Sequence, residues 1–238
     1  MKADPPRNNY VSGNGAPTAG LVLLHADDSL LVLDKPAGLL AVPGRGEDKQ
    51  DCLSARVQAS FPDALIVHRL DQATSGLMLM ARGAAMQRTL SRAFESREVH
   101  KRYVAVVEGC LPSPGGNVDG NGDDSWGLID LPIIVDWPKR PLRIIDAEHG
   151  KPSQTRWRVL AFDAAANTTR VELEPVTGRS HQLRVHLQAL GHPILGDALY
   201  APAEVQAKAP RLLLHACALR FMHPASGLPL SFESAPEF

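Results

Sequence analysis

The chain has 238 residues, of which 44% are hydrophobic and 21% charged, so it can bury a substantial core in one large domain or two small ones. Its formal net charge of −1 at pH 7 excludes the uniformly basic composition that many nucleic-acid-binding proteins have. The sequence contains no segment that approaches the ~18 consecutive apolar residues of a membrane helix.

Residues 1–20 are rich in Pro, Gly and Asn and lack the apolar run of a secretory signal, which predicts a flexible N-terminal tail. A single domain is then expected over 21–238. The three cysteines, Cys52, Cys110 and Cys217, are odd in number and widely spaced, so they indicate neither a disulfide framework nor a zinc cluster. We therefore expect a cytoplasmic protein.

The sequence downstream of the tail predicts many short strands and few helices. Apolar and β-branched runs predict strands at 30–34, 65–67, 77–80, 103–107, 133–136, 142–146, 155–162, 169–174 and 212–216. Apolar residues recurring every fourth position predict helices over 53–61, with Asp51 as its cap, and over 86–94. This order is typical of an α+β fold with a mixed, largely antiparallel sheet. The polar segment 115–127 is expected to be a flexible insertion.

Positive charge is concentrated in two parts of the chain, although the total is close to neutral. The basic residues of these parts are Arg82, Arg88, Arg92, Arg97, Lys101 and Arg102, followed by Lys139, Arg140, Arg143, Lys151, Arg156 and Arg158. A local positive surface can bind a phosphate backbone even on a neutral protein. The alternative is that these residues form ordinary solvated faces.

A single carboxylate, Asp71, stands among small residues between the predicted strands 65–67 and 77–80. Catalytic residues often lie on such loops, because the flanking strands hold the loop in place. The alternative is structural, since Asp commonly accepts hydrogen bonds from the backbone N–H groups of a turn, here those of Ala73 or Thr74.

Four segments resemble motifs of the RluA-type pseudouridine synthase family, and they occur in the family's order. The segment 68–77, His-Arg-Leu-Asp-Gln-Ala-Thr-Ser-Gly-Leu, resembles its catalytic motif. The other three are Asp-Lys-Pro-Ala-Gly-Leu-Leu at 34–40, Lys-Arg-Tyr-Val-Ala at 101–105 and Thr-Gly-Arg-Ser-His-Gln-Leu-Arg-Val-His-Leu at 177–187. The resemblance extends from about residue 24 to residue 223, which is nearly the whole chain.

The resemblance implies the family's fold and an isomerase that converts uridine in RNA to pseudouridine. This reaction involves no redox change and no net hydrolysis, so no cofactor and no metal are expected. Segments 130–132, 136–138 and 191–197 narrow the resemblance to a branch that lacks an N-terminal S4-like domain. The substrates of that branch are the anticodon loop of tRNA and a loop of large-subunit 23S rRNA. RNA is the expected partner of a monomeric protein that does not bind membranes.

The resemblance also assigns catalytic roles to three residues. Asp71 would act on the ribose as a nucleophile or as a base. Arg179 would pair with the Asp71 carboxylate, the alternative being a phosphate contact. Tyr103 would stack on the uracil and help remove its C5 proton, the alternative being a tyrosine packed in the core.

The resemblance implies a wider set of residues that contact RNA. Arg69 would enter the space vacated when the target nucleotide flips out of its stack, unless it merely faces solvent. Gln182 and Arg184 either support the Arg179 loop or touch RNA. The full predicted set comprises Arg69, His68, Gln182, Arg184, Lys101 and Arg102.

Other chemistries find less support in the sequence. His181 and His186 are five positions apart, which does not give the paired zinc ligands that a helix presents at a spacing of four. His68, Asp71 and Ser75 supply the residue types of a hydrolase triad, but Ser75 lies in no nucleophile-elbow pattern. A hydrolase and a non-catalytic RNA-binding module remain the alternative functions.

Overall fold

A computed structural model of the protein describes residues 20–115 and 125–238. The predicted N-terminal tail, except for Gly20, lies outside the described residues, as does 116–124 of the predicted insertion. The last residue of that insertion, Gly127, begins a strand.

One ten-stranded sheet forms the centre of the described residues, and a two-stranded sheet lies beside it. In chain order the strands are β1 Val22–Ala26, β2 Leu30–Lys35, β3 Ala64–Ile66, β4 Ser75–Arg82, β5 His100–Glu108, β6 Gly127–Asp130, β7 Ile133–Val135, β8 Arg143–Ile145, β9 Gln154–Asp163, β10 Thr168–Pro175, β11 Leu214–Met222 and β12 Pro229–Glu233. The large sheet has the order β1-β2-β4-β11-β5-β10-β9-β6, with β3 paired to β4 and β12 to β11, whereas β7 pairs with β8.

The described residues form four α-helices of 4 to 13 residues. They are α1 Leu53–Gln58, α2 Gly83–Glu95, α3 Gln182–Ala189 and α4 Ala203–Gln206. Helices α1 and α2 contribute to apolar clusters that pack on the β2–β4 part of the sheet, while α3 packs against β5, β9 and β10. Among the described residues, no helix has the length and apolar character needed to cross a membrane.

The centre of the sheet holds its one parallel pairing, between β4 and β11. Gly76 of β4 has φ +110°, and a Cβ at this position would lie 2.3 Å from the backbone oxygen of Ala216 on β11. Only glycine fits so close an approach in this conformation. This contact joins the two halves of the sheet, and Tyr103 packs against a core cluster of each half.

The structure confirms the predicted α+β class and mixed sheet. The nine predicted strands are present with displaced ends, most of all β11, which runs to Met222, but β1, β6 and β12 were not predicted. The strands before and after Asp71 are confirmed as β3 and β4. The predicted cap of the first helix is wrong: Cys52 occupies the cap position, and the Asp51 carboxylate binds the guanidinium of Arg56 at 2.7 Å. All three cysteines are free.

Candidate active site

The loop between β3 and β4 carries Asp71 into a cavity of about 590 Å³. Residues from this loop, from β5, from the end of α2 and from the start of α3 form its wall. The charged residues of the lining are Arg69, Arg97, Lys101, Arg179 and Arg184 on the positive side, with Asp71 and Glu95 on the negative side. With five basic and two acidic side chains in its lining, the cavity is electropositive around the partly buried Asp71 carboxylate.

The Asp71 loop is tied to the turn that follows β2. Lys35 is fully buried, and its ammonium donates to the carbonyl oxygens of Pro36, Leu39 and Gln72 at 2.8–3.1 Å. Gly38 and Gln72 add a reciprocal pair, in which the Gly38 N–H donates to the Gln72 carbonyl at 2.8 Å and the Gln72 amide donates back at 3.0 Å. Burial lowers the pKa of Lys35 to about 8, although Asp71 and Asp34 oppose this shift.

The Asp71 carboxylate faces two groups on the first turn of α3. Arg184 Nη1 lies 3.4 Å from Asp71 Oδ2, and His181 Nε2 lies 3.9 Å from Asp71 Oδ1. The turn after Asp71 is closed by its backbone carbonyl, which accepts from the Thr74 N–H at 3.1 Å. The side chain is thus directed to the cavity, with 27% of it exposed.

Arg184 is held in place by a second carboxylate. Its guanidinium makes two hydrogen bonds to Asp197, at 2.6 and 2.7 Å, and the side chains are only 4% and 0% exposed. Asp197 in turn accepts from the N–H groups of Leu199 and Tyr200. A bidentate, fully hydrogen-bonded pair fixes the plane of the guanidinium, so its remaining edge is aimed at Asp71.

The predicted pairing of Arg179 with Asp71 is wrong. Arg179 is exposed at the edge of the cavity, and its guanidinium donates to the Pro152 carbonyl at 3.4 Å. Arg184, assigned to the RNA-binding set, is the arginine that reaches Asp71, and its burial excludes it from the outer surface. Arg179 precedes the helix, whereas Arg184 lies on its inward face and can reach across to the Asp71 loop.

His68 and Gln182 have structural partners. His68 Nε2 accepts the Leu79 N–H at 2.9 Å, and its ring stacks on Phe94 with centroids 4.5 Å apart. Burial, together with Lys101, lowers the pKa of His68 to about 3, so the ring is neutral. Gln182 is 4% exposed, and its side-chain amide accepts the Arg179 N–H and donates to the Gln154 carbonyl. These two bonds support the Arg179 loop.

Successive residues of β5 lie on different faces of the sheet. Lys101 and Tyr103 line the cavity, whereas Arg102 is absent from its lining and binds Glu172 at 3.3 Å. Burial, and then the nearby Asp71, raise the pKa of Tyr103. Burial also lowers the pKa of Lys101. The geometry therefore brings Tyr103 and Lys101 to the site and directs Arg102 away from it.

Arg69 bridges the mouth of the cavity. It is exposed, and its Nη2 donates to Ser180 Oγ at 3.4 Å, which links the Asp71 loop to the loop before α3. A single long hydrogen bond at an exposed position is weak and easily exchanged for another partner.

The sequence did not indicate Lys35, His181 or Asp197 as parts of this site. A lysine buried in a turn and an aspartate buried beneath an arginine are exceptions to the usual exposure of charged residues. The sequence did carry one indication of Asp197, because this residue ends the segment 191–197, which resembles the family, and lies thirteen residues after Arg184. Its contact with Arg184, however, depends on how the chain folds back.

The residue types of a hydrolase triad, His68, Asp71 and Ser75, are present in the sequence but do not assemble. Ser75 Oγ lies 2.9 Å from Nδ1 of His215 and 3.2 Å from Arg211, and it contacts neither Asp71 nor His68. In the part of the chain that the structure describes, no group of three or more His, Cys, Asp or Glu side chains is placed to hold a metal.

Comparisons with known proteins agree with this geometry. A family model described as RNA pseudouridylate synthase matches residues 29–189. Two curated relatives are named dual-specificity RNA pseudouridine synthase RluA. The one from Escherichia coli K12 is 51% identical over 92% of this chain and 94% of its own length. The one from Yersinia pestis is 47% identical over 92% of this chain and 100% of its own length.

Solved structures agree as well. Human RNA pseudouridylate synthase domain-containing protein 1 superposes with a TM-score of 0.72 at 28% identity, over 95% of this chain and 87% of its own. Human RNA pseudouridylate synthase domain-containing protein 4 superposes with a TM-score of 0.68 at 25% identity, over 90% of this chain and 88% of its own. With this fold, these relatives and the Asp71 carboxylate in an electropositive cavity, the chain belongs to the RluA-type RNA pseudouridine synthases, which are isomerases.

Proposed function

We propose that this chain converts uridine to pseudouridine in loops of tRNA and of large-subunit ribosomal RNA, acting in the cytoplasm as a monomer without a cofactor. The placement of Asp71 in the cavity, next to Arg184 and within reach of His181, carries the proposal. The name dual-specificity, borne by relatives that align over 94% or more of their length, supports two RNA substrates.

The reaction suits a site with one carboxylate. The bond between C1′ and N1 of the uridine breaks, the base turns, and C1′ rejoins the base through C5, which then loses its proton. Positive charge develops at C1′ during cleavage, and the Asp71 carboxylate stabilises it by attack on C1′ or acts as a base on the ribose. Arg184 supports the carboxylate in either role.

Tyr103 is proposed to lie against the uracil. Its position on β5 directs the ring into the cavity beside Asp71, and an aromatic ring offers a stacking surface to a base. Its hydroxyl keeps its proton in the resting site because burial raises the pKa. It can relay the C5 proton: as the hydroxyl takes that proton, its own proton passes to the Asp71 carboxylate beside it, and N1 of the rejoined uracil takes up one proton, which balances the isomerisation.

Arg69 is proposed to fill the gap left by the flipped nucleotide. It lies at the mouth of the cavity, and its weak bond to Ser180 leaves the planar guanidinium available for stacking. Arg97, Lys101 and Arg179 line the same opening and would contact phosphates. A smaller cavity of about 210 Å³ shares Arg97 and Lys101 with the large one. The positive surface therefore continues beyond the mouth of the large cavity, where a single strand of RNA would follow it.

The test is to incubate purified protein with a tRNA and, separately, with large-subunit rRNA fragments, and to map pseudouridine chemically. We expect product in a loop of each RNA, and none with Asp71→Asn, whose amide preserves size but removes the charge. Unchanged folding and RNA affinity of Asp71→Asn provide the control. Product in neither RNA from the unaltered protein would overturn the substrate assignment, and a released base or cleaved strand would indicate a hydrolase.

A further inference from the structure

Tyr200 touches both of the groups that approach Asp71. It is 5% exposed and packs with Ile133 and Val185 behind the cavity wall. The Arg184 guanidinium carbon lies 5.0 Å from the centre of its ring, and its hydroxyl oxygen lies 2.6 Å from His181 Nδ1. Tyr200 itself is absent from the cavity lining, so it acts on Asp71 only through these two neighbours.

The hydrogen bonds of Tyr200 determine which nitrogen of His181 carries hydrogen. The backbone N–H of Arg143, which can only donate, lies 2.9 Å from the Tyr200 oxygen. Among the described residues, His181 Nδ1, at 2.6 Å, is the only other hydrogen-bond partner of that oxygen, so the buried phenol, whose hydrogen would otherwise have no acceptor, donates to it. The neutral imidazole then carries its hydrogen on Nε2, the atom that faces Asp71 Oδ1.

The backbone of His181 is held in an uncommon conformation. Its φ is +59°, in the left-handed region, at the residue that caps α3. A non-glycine residue in this region costs free energy and persists where the surrounding contacts require it. Here the conformation turns the ring into the cavity wall between Asp71 and Tyr200.

His181 is surrounded by charged groups of both signs. Burial is the largest influence and lowers its pKa below 6.5, Asp71 and Asp197 raise it, and Arg184 and Arg143 lower it. The ring is therefore neutral at neutral pH, and the position of its single hydrogen matters.

We propose that Tyr200 is a positioning residue for Asp71: its hydroxyl fixes His181 with hydrogen on Nε2, directed at Asp71 Oδ1, while its ring supports the Arg184 guanidinium that binds Oδ2. Both carboxylate oxygens are then oriented by one tyrosine. The inference rests on the proposed catalytic role of Asp71.

The His181–Asp71 separation of 3.9 Å is that of the free protein. A hydrogen bond requires closing it by about 1 Å, and hydrogen bonds in active sites commonly shorten in this way when substrate binds. A uridine in the cavity excludes water from this gap, which strengthens the contact.

The experiment is a double-mutant cycle on single-turnover rates with an RNA that the unaltered protein modifies. Tyr200→Phe removes only the hydroxyl and is expected to slow the reaction about tenfold at saturating RNA, with an unchanged dissociation constant. His181→Leu is expected to slow it at least as much, and His181→Gln, which can still donate, to recover part of the rate. In the His181→Leu background, Tyr200→Phe should have no further effect.

The matched control is His192→Gln. His192 lies outside the cavity lining, and its Nδ1 contacts the Glu108 carbonyl at 2.7 Å, so this variant should retain the unaltered rate.

The pH dependence separates tautomer control from a merely structural role. An imidazolium carries hydrogen on both nitrogens, so the Tyr200→Phe defect should shrink as the pH falls from about 7.5 to about 5. A defect of constant size across this range, additive effects in the cycle, or a weaker dissociation constant in place of a slower rate would each overturn the proposal. Absence of product from the unaltered protein would instead refute the proposed function.

Discussion

Arg184 connects two carboxylates of different exposure, because Asp197 is fully buried and Asp71 is 27% exposed. We expect Arg184→Ala to destabilise the fold by about 3–5 kcal/mol, since it leaves the Asp197 charge buried without a partner. Chemistry should stop as well, because Asp71 loses its guanidinium. Urea unfolding and single-turnover rates at saturating RNA measure the two effects separately.

Arg179 provides the matched control on the same motif. Because it is exposed, Arg179→Ala should change the free energy of unfolding by no more than about 0.5 kcal/mol. RNA should bind more weakly, with a smaller dependence on salt, while the rate at saturation stays near normal. A stable Arg179→Ala protein that binds RNA normally but has no activity would return the catalytic role to Arg179.

The hydroxyl of Tyr103 can be tested apart from its ring. Tyr103→Phe keeps the stacking surface and removes the proposed acceptor of the C5 proton. We expect release of tritium from C5-labelled uridine to slow by about 10²-fold or more, while cleavage of the glycosidic bond persists. Rapid-quench analysis of both steps measures this difference. An equal loss at both steps would make the hydroxyl a structural group.

At the level of elements, the turn after β2 holds the Asp71 loop through Lys35. Lys35→Met would leave the Pro36, Leu39 and Gln72 carbonyls without their shared donor, so we expect a loss of about 3 kcal/mol in the free energy of unfolding. A shift of the neighbouring Asp71 by about 1 Å would also slow chemistry by about 10²-fold.

Lys49→Met is the control for this substitution, because Lys49 lies on an exposed 3₁₀ turn, Glu47–Lys49, in the connection between β2 and β3. Its stability and single-turnover rate should match those of the unaltered protein. If Lys35→Met is equally tolerated in denaturation and activity assays, the loop is held by its remaining backbone hydrogen bonds alone.

Local pattern predicted the strands well but not their arrangement. Alternation and apolar runs are properties of a few consecutive residues, so the strands on either side of Asp71 were predicted correctly. The placement of β11 between β4 and β5 joins residues more than a hundred positions apart. It depends on the close approach at Gly76, which the sequence shows only as one glycine in a strand.

The same limit explains the error in the site. The motif predicted that Arg179 would pair with Asp71, whereas in the structure Arg184 contacts Asp71 and Arg179 does not. The difference lies in the geometry of the α3 start, where His181 takes a left-handed conformation and the following residues turn inward. The buried Asp197 also contributes, because its ion pair with Arg184 holds the Arg184 side chain in the protein interior.

For the whole molecule, the near-neutral net charge results from an uneven distribution of charged residues over the two faces of the sheet. Within 20–115 and 125–238, four basic residues of the cavity lining make no ion pair, namely Arg69, Arg97, Lys101 and Arg179. Arg102, Arg156 and Arg158, on the other face of the sheet, bind Glu172 and Glu174. Neutralised arginines contribute little to a phosphate-binding surface. A net charge of −1 is thus compatible with one electropositive opening.

The response of the fold to acid should be dominated by histidines. Burial lowers the pKa of His68, His181, His186 and His215, and that of His68 falls to about 3. Between pH 6.5 and the folded pKa, the unfolded chain binds protons that the folded chain does not, so stability is full above pH 6.5 and falls as the pH falls. Each group contributes up to about 1.4 kcal/mol per pH unit.

We therefore expect the free energy of unfolding to decline between about pH 6.5 and pH 4.5, before most carboxylates begin to titrate. Urea unfolding across this range measures the slope. His68→Gln, which can still accept the Leu79 N–H, should flatten the slope by about 1 kcal/mol per pH unit. A stability that stays constant down to about pH 4.5 would show that these histidines accept protons within the folded protein.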